Sequence, residues 1–325
     1  MRSALINKLL PLVVAASAAL ATACSSDDNA STPSGGDAGG RDSGAPAATS
    51  DIVDTAVGAG DFKTLVAAVQ AAGLEQTLRG NGPFTVFAPP DAAFAKLPEF
   101  LLTKLTSAPY KTALGLILKY HVVSGNVRAA DVLGKTQEVD TVAGAKLTVD
   151  GSNNRVVLNG GSTVTTADVG AKNGVIHAID TVLLPTIVDT AVNYDDGTTT
   201  FKTLVQAVTA ADLGGTLSGP GTFTVFAPTD AAFAALKQQI GDAAFNQILA
   251  NKEQLATILK YHVVGSTVFS PDVTAGTVPT LANNRTLNVT ITGGTVKVND
   301  ANVVLTDLPN RNGVIHVIDK VLVPQ

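Results

Sequence analysis

Tryptophan is absent from this chain of 325 residues, and cysteine and methionine occur once each. With Cys24 as the only cysteine, no disulfide can form within the chain, so each domain must be held by its core alone. Charge is scarce too: 15% of residues are Asp, Glu, Lys or Arg, and no Lys/Arg-rich block stands out as a nucleic-acid tail. The net charge of -5 opposes binding to nucleic acid or to a bare anionic lipid surface. No apolar stretch after the first 23 residues reaches the ~18 expected of a membrane span. What is present is a 45% hydrophobic share in a chain long enough for two domains, each with its own core.

The first residues read as an export signal and stand apart from the fold. Arg2 and Lys8 give a basic start, Leu9 to Leu20 is a short apolar run, and Ala21-Thr22-Ala23-Cys24 closes it. Small residues before a cysteine resemble the bacterial lipobox, whose Cys is lipidated and becomes the first residue of the mature protein. The departure is Ala21, where that pattern more often has Leu. Ala21-Thr22-Ala23 also suits ordinary signal peptidase, but a lone exposed thiol in an oxidising compartment is a liability, which favours lipidation of Cys24. Residues 1–24 are therefore assigned as signal peptide with a lipobox-like cysteine. Residues 25–50, SSDDNASTPSGGDAGGRDSGAPAATS, carry almost no large apolar side chains and are expected to be a disordered tether. Such a coil would hold its cargo on the order of 25–30 Å from the anchor.

Beyond residue 50 the chain repeats itself. Asp51-Ile-Val-Asp-Thr-Ala-Val57 returns as Thr186-Ile-Val-Asp-Thr-Ala-Val192, and Phe84-Thr-Val-Phe-Ala-Pro-Pro-Asp-Ala-Ala-Phe94 returns as Phe223-Thr-Val-Phe-Ala-Pro-Thr-Asp-Ala-Ala-Phe233. Ile117-Leu-Lys-Tyr-His-Val-Val123 returns at 258–264, and Asn173-Gly-Val-Ile-His-Ala-Ile-Asp180 returns, with one change, at 312–319. Order and spacing both persist, so a whole domain is duplicated: 51–185 and 186–325. With almost no linker the copies should be packed or semi-rigid neighbours. They differ mainly by an insertion around Asn193-Tyr-Asp-Asp-Gly197, a place where their functions can differ.

Within one copy, Asp61 reads as an N-cap, with Phe62, Leu65, Val66 and Val69 at helical spacing and Gly73 at the C-terminal end. Phe84–Ala88 reads as a strand halted by Pro89-Pro90, and Asp91 as the cap of a brief helix through Leu97. A further helix carries Leu114, Ile117 and Leu118. Strands are then expected over Lys146–Asp150, Arg155–Leu158, Val164–Ala167 and Val175–Leu184, the last opened by a tight Asn173-Gly174 turn. Helices first and a strand meander second define an α+β domain.

These motifs resemble the fasciclin-like domain family. TVFAPxDxAF at 85–94 and 224–233 is similar to its first signature box, and NGVIHxID with VLLP or VLVP, at 173–185 and 312–324, to its second. Tyr120-His121 and Tyr261-His262 match the Tyr-His motif between them. The resemblance implies two tandem domains, each a wedge of helices packed on a β-sandwich, in secreted or surface-anchored proteins of cell adhesion and matrix contact. In animal matrix members the Tyr-His region is linked to integrin binding, a partner that does not carry over to a bacterial chain. Some relatives bind pigments or other apolar ligands.

All four histidines occupy matched positions, two per copy. His121 shares the helical stripe of Leu114, Ile117 and Leu118, so its ring is expected in the core, and a helix C-terminus favours a protonated or hydrogen-bonded imidazole there. His177 and Asp180 fall on opposite faces of a strand and are not expected to pair. His177, His316, Asp91 and Asp230 are read as structural, the aspartates as helix caps. Tyr120 and Tyr261, one position off the stripe, are candidates to expose their rings at a surface edge. With His121 and His262 they form the candidate binding set, half-buried packing being the competing reading. No HExxH, Cys/His cluster or GxSxG elbow is present, so no metal, cofactor or catalytic residue is assigned. Asp195-Asp196-Gly197 is read as a solvated turn.

The expected function is non-enzymatic. The chain reads as a surface-displayed adhesion lipoprotein mediating cell–cell or cell–matrix contact, its partner a protein or polysaccharide and its only membrane contact the lipid, with the outer membrane or cell surface favoured. The alternative is an extracytoplasmic binding protein for an apolar pigment or lipid; an uncharacterised hydrolase ranks third.

Overall fold

The computed structural model describes residues 48–324. The export signal, Cys24 and all of the tether before Ala48 lie outside the described residues.

Each copy opens with a helix laid over a sheet. In the first, Asp51 accepts the Asp54 amide at 2.9 Å, and the helix Ile52–Ala59 ends where Gly60 turns left-handed at φ 81°. Lys63–Ala72 follows and stops at Gly73, φ 71°, the glycine the sequence marks for it. The expected cap Asp61 does not cap. The residue at that position is Phe62, with no side-chain bond, and the free Thr64 amide goes instead to the Asp91 carboxylate at 2.7 Å. Asp91 thus caps a helix 27 residues earlier in the chain rather than its own. In the second copy Asp230 receives the Thr203 amide at 2.7 Å and the Lys202 amide at 3.1 Å, while Thr229 caps the helix Asp230–Ile240.

The strands of the first copy are β1 (Phe84–Ala88), β2 (Val122–Ser124), β3 (Thr136–Asp140), β4 (Lys146–Asp150), β5 (Val157–Leu158), β6 (Ser162–Ala171) and β7 (Gly174–Ile179). They pair in the order β2-β1-β7-β6-β5-β4-β3, antiparallel except for β1 beside β7. The second copy repeats this with β8 (Phe223–Pro228), β9 (Val263–Val264), β10 (Gly276–Pro279), β11 (Thr286–Thr292), β12 (Thr295–Val298), β13 (Ala301–Asn310) and β14 (Gly313–Ile318). A bridge between Val123 and Thr141 brings the two ends of the first sheet together around an interior of Phe87, Tyr120, Leu147, Leu158 and Ile179.

The alternation at 146–150 marks β4 as it is. The final strand is shorter than its apolar run because Asp180 accepts the Thr163 amide and the Leu183 amide leaves the sheet for His121. The Asn-Gly turn does more than reverse the chain. Asn173 Oδ1 accepts the Ile52 amide at 2.9 Å, and its Nδ2 donates to Leu78 and Gly80 carbonyls at 2.8 Å, so one side chain ties the opening helix to the sheet. A Cβ on Gly174 would lie 1.9 Å from the Phe84 carbonyl oxygen, which is why β7 can approach β1 only with glycine there. Asn312 and Gly313 do the same in the second copy.

The helical cores of the two domains merge into one apolar cluster. The helix Glu99–Leu105 of the first domain meets β13 of the second: Phe100 packs edge-on against Phe269 at 5.7 Å, and the Lys104 ammonium reaches Asp307 at 2.5 Å, Thr306 at 2.7 Å and Ser270 at 3.1 Å. The Asp307 side chain is fully buried there. The inserted Tyr194 packs inward against Phe201 at 5.8 Å.

Candidate functional site

The repeated Tyr-His pair sits where the helix Lys111–Tyr120 ends. That helix is buried on both sides: Leu114, Ile117 and Leu118 face the helical core, Leu116 and Tyr120 the sheet interior. Tyr120 is therefore 1% and Tyr261 6% exposed, and the expectation of rings at a surface edge is corrected. Each hydroxyl is saturated. Tyr120 donates to the Lys146 carbonyl at 2.9 Å and accepts from Asn159 at 3.0 Å; Tyr261 donates to Thr286 and accepts from Asn299, both at 3.0 Å. Burial raises the Tyr120 pKa above its ordinary value.

His121 and His262 are equally committed. Nδ1 of His121 donates to the Ile117 carbonyl at 2.8 Å, and Nε2 accepts the Leu183 amide at 2.9 Å, which fixes a neutral ring. His262 repeats this with Ile258 and Leu322. Burial outweighs the bond to the carbonyl and pushes both pKa values down to about 4, so the protonated alternative at the helix end does not hold. His177 accepts the Asp168 amide at 3.2 Å, donates to the Val127 carbonyl at 2.8 Å and stacks on Phe87; it makes no bond to Asp180. His316 repeats the pattern with Asp307, Val268 and Phe226. A ring bonded at both nitrogens has no free lone pair or N–H proton to offer a substrate. Among the described residues no group of three or more His, Cys, Asp or Glu is placed to hold a metal. Asp195 and Asp196 are occupied by their own turn: Asp195 accepts the Gly197 amide, and Asp196 those of Thr198 and Thr199.

The histidines nevertheless back a feature that sequence reasoning did not locate. In the first domain a cleft runs between the opening helix (Ile52, Val53, Ala56) and the second (Leu65, Val66, Val69), over a floor of Val86, Val122 and Ile176, with His121 at its rear. In the second domain Ile187, Val188, Ala191, Leu204, Val205 and Val208 lie over Val225, Val263 and Ile315, with His262 at the rear. The cavities within them measure about 50 and 110 Å³. With every polar atom of the histidine rings already bonded, both clefts are apolar in effect. The signal was present in the sequence: the cleft residues are those repeated in both opening helices.

The Fasciclin domain family matches residues 60–185 and again 199–324. The chain belongs to this family, which typically supplies adhesion or interaction domains rather than enzymes. It is similar to Protein sll1483 of Synechocystis sp., 48% identical over 41% of this chain and 73% of that protein. It is also similar to the transforming growth factor-beta-induced protein ig-h3 of Oryctolagus cuniculus, 31% identical over 77% of this chain but 36% of the relative. Periostin of Homo sapiens is 27% identical over 78% of this chain and 30% of its own length, so the chain spans about a third of these vertebrate relatives. A solved FAS1 domain pair from the insect cell adhesion molecule Fasciclin I aligns with 82% of this chain and 98% of its own, at 18% identity and a TM-score of 0.38.

Proposed function

We propose that the chain is an extracytoplasmic, lipid-anchored adhesion protein that presents a docked pair of fasciclin domains to a protein or polysaccharide at the cell surface or matrix. The observation that carries this reading is the part-buried contact of Lys104 with Asp307, Thr306 and Ser270, which ties the two like domains together. A pair held this way presents two surfaces at once, the condition for avidity without flexible linkage. Committed histidines and tyrosines support a non-enzymatic role. Among the described residues no helix is long and apolar enough to cross a membrane. Deleting residues 51–325 should abolish cell aggregation or matrix attachment, and unchanged attachment overturns the reading; Cys24→Ser should release the protein from the membrane fraction.

The paired apolar clefts favour a second reading, the binding of an apolar small molecule. A purified protein yielding no apolar extract and displacing no hydrophobic dye would remove its support.

A further inference from the structure

We propose that the second domain's cleft is the readier binding site, for an uncharged apolar molecule, and that Arg79 latches the walls of the first domain's cleft together. This rests on the apolar-ligand reading and adds to it which domain binds, what class of molecule, and what controls entry.

The latch is visible in the walls. The first cleft is closed on one side by the opening helix and on the other by the short helix Glu75–Leu78, whose Leu78 lines it. Arg79 joins the two, bonding Asp51 at 2.8 Å, Asp54 at 2.9 Å and Glu75 at 3.1 Å. Opening the cleft means separating these walls, which breaks the Arg79 contacts to Asp51 and Asp54.

The second copy lacks every part of this but one. Ser218 stands where Arg79 stands in the first, Gly214 where Glu75 stands, and Thr186 where Asp51 stands. Asp189 survives in the place of Asp54 but is engaged in a capping box with Thr186. The wall becomes Gly214–Ser218, opening with two glycines, which hold a helix less firmly than the Glu75-Gln76 of the first domain. Its cavity is the larger, about 110 against 50 Å³. A dry apolar cavity of roughly 150 Å³ accepts benzene, so the second cleft takes a small hydrocarbon once its glycine-led wall gives way.

The ligand's charge follows from the lining. No Asp, Glu, Lys or Arg lines the second cleft, and His262, its one titratable residue, is neutral with both nitrogens bonded. A buried carboxylate or ammonium on the ligand would find no partner there.

The probes are n-butylbenzene, which is neutral, and 4-phenylbutyrate, similar in shape but anionic, titrated into the full chain by calorimetry with amide chemical-shift mapping. The expected result is one equivalent of n-butylbenzene, shifts confined to residues around the second cleft, and at least tenfold weaker binding of 4-phenylbutyrate. Arg79→Gln should add a second equivalent in the first domain. Val208→Trp should abolish wild-type binding. Because that change risks misfolding, Gly214→Glu and Ser218→Arg combined with Thr186→Asp, which frees Asp189 from its capping box and supplies every partner of the first domain's latch, should weaken it as well. Equal binding in both domains of the wild type, an unchanged stoichiometry in Arg79→Gln, or equal affinity for the two probes overturns the proposal while leaving the ligand reading standing. No binding of n-butylbenzene to either wild type or Arg79→Gln overturns both.

Discussion

Mild acid should destabilise this protein well before its carboxylates protonate. His121 and His262 are neutral in the fold, with pKa values near 4, whereas an unfolded histidine titrates near 6.5. Their folded values are depressed, so the stability they carry is complete above pH 6.5 and is lost as the pH falls toward 4. The unfolded chain takes up protons across that window and the folded chain does not. By pH 5 the loss amounts to about 2 kcal/mol per histidine, roughly 4 kcal/mol for the pair. His316 is shifted the same way, chiefly by burial, and adds to the loss. The carboxylates do not confuse the measurement. Asp307 would be raised by burial, but Lys104 and Ser270 outweigh that and hold it below the ordinary range, so its stability persists until the pH drops through about 4. Urea unfolding followed by circular dichroism at pH 7, 6 and 5 reads the effect directly. A free energy that stays flat from pH 7 to 5 refutes the reasoning, since two neutral, doubly bonded rings cannot be buried without it.

The cross-chain caps give a second expectation: Asp91→Ala removes the acceptor of the Thr64 amide and should cost about 1 kcal/mol by urea denaturation, as loss of a helix cap does, although the residue lies outside the helix it caps. Gly174→Ala or Gly313→Ala places a methyl 1.9 Å from a backbone oxygen of the neighbouring strand, and each should unfold its own domain, costing more than the ~1–3 kcal/mol typical of overpacking and visible as loss of that domain's amide signals. Lys104→Met strips the buried Asp307 carboxylate of its cation. The cost should be about 2–3 kcal/mol, below the ~3–5 of a fully buried pair because the Lys104 side chain is 26% exposed and Ser270 still donates to Asp307. A double-mutant cycle with Asp307→Asn checks that the loss belongs to the contact between domains.

Much of the fold was legible because local patterns agree with the tertiary structure. The alternation in Lys146–Asp150 and the left-handed Gly73 are determined within a few residues of themselves. What was not legible depends on partners far along the chain. A sequence places an aspartate near a helix start but cannot show that Asp91 reaches back to Thr64 while Asp61 makes no cap. Periodicity reveals one buried stripe on Lys111–Tyr120, and a helix between two cores has two. Tyr120 lies on the second, which is why its ring is buried. The clefts were hidden for a related reason: apolar residues that line a cavity and those that fill a core follow the same spacing.

The duplication separates the positions that maintain the fold from those where the two domains differ in their surroundings. Identical residues at matched places, such as Asn173 and Asn312, Gly174 and Gly313, or His121 and His262, have their bonding capacity used up inside the domain in both copies. Asp168 and Asp307 show the other outcome, one residue type with two fates. Asp307 is buried against the neighbouring domain's Lys104, while Asp168 is exposed and accepts only the Ala129 amide. The strand around it differs as well: β13 has Leu305, Leu308 and Pro309 where β6 has Thr166, Val169 and Gly170. The end of β13 is buried where the matching stretch of β6 is exposed, so only the second domain's strand is covered by its neighbour. The same division runs through Arg79 and Ser218 at the clefts. The differences between the copies, more than the repeated motifs, are therefore the places to test for separate roles of the two domains.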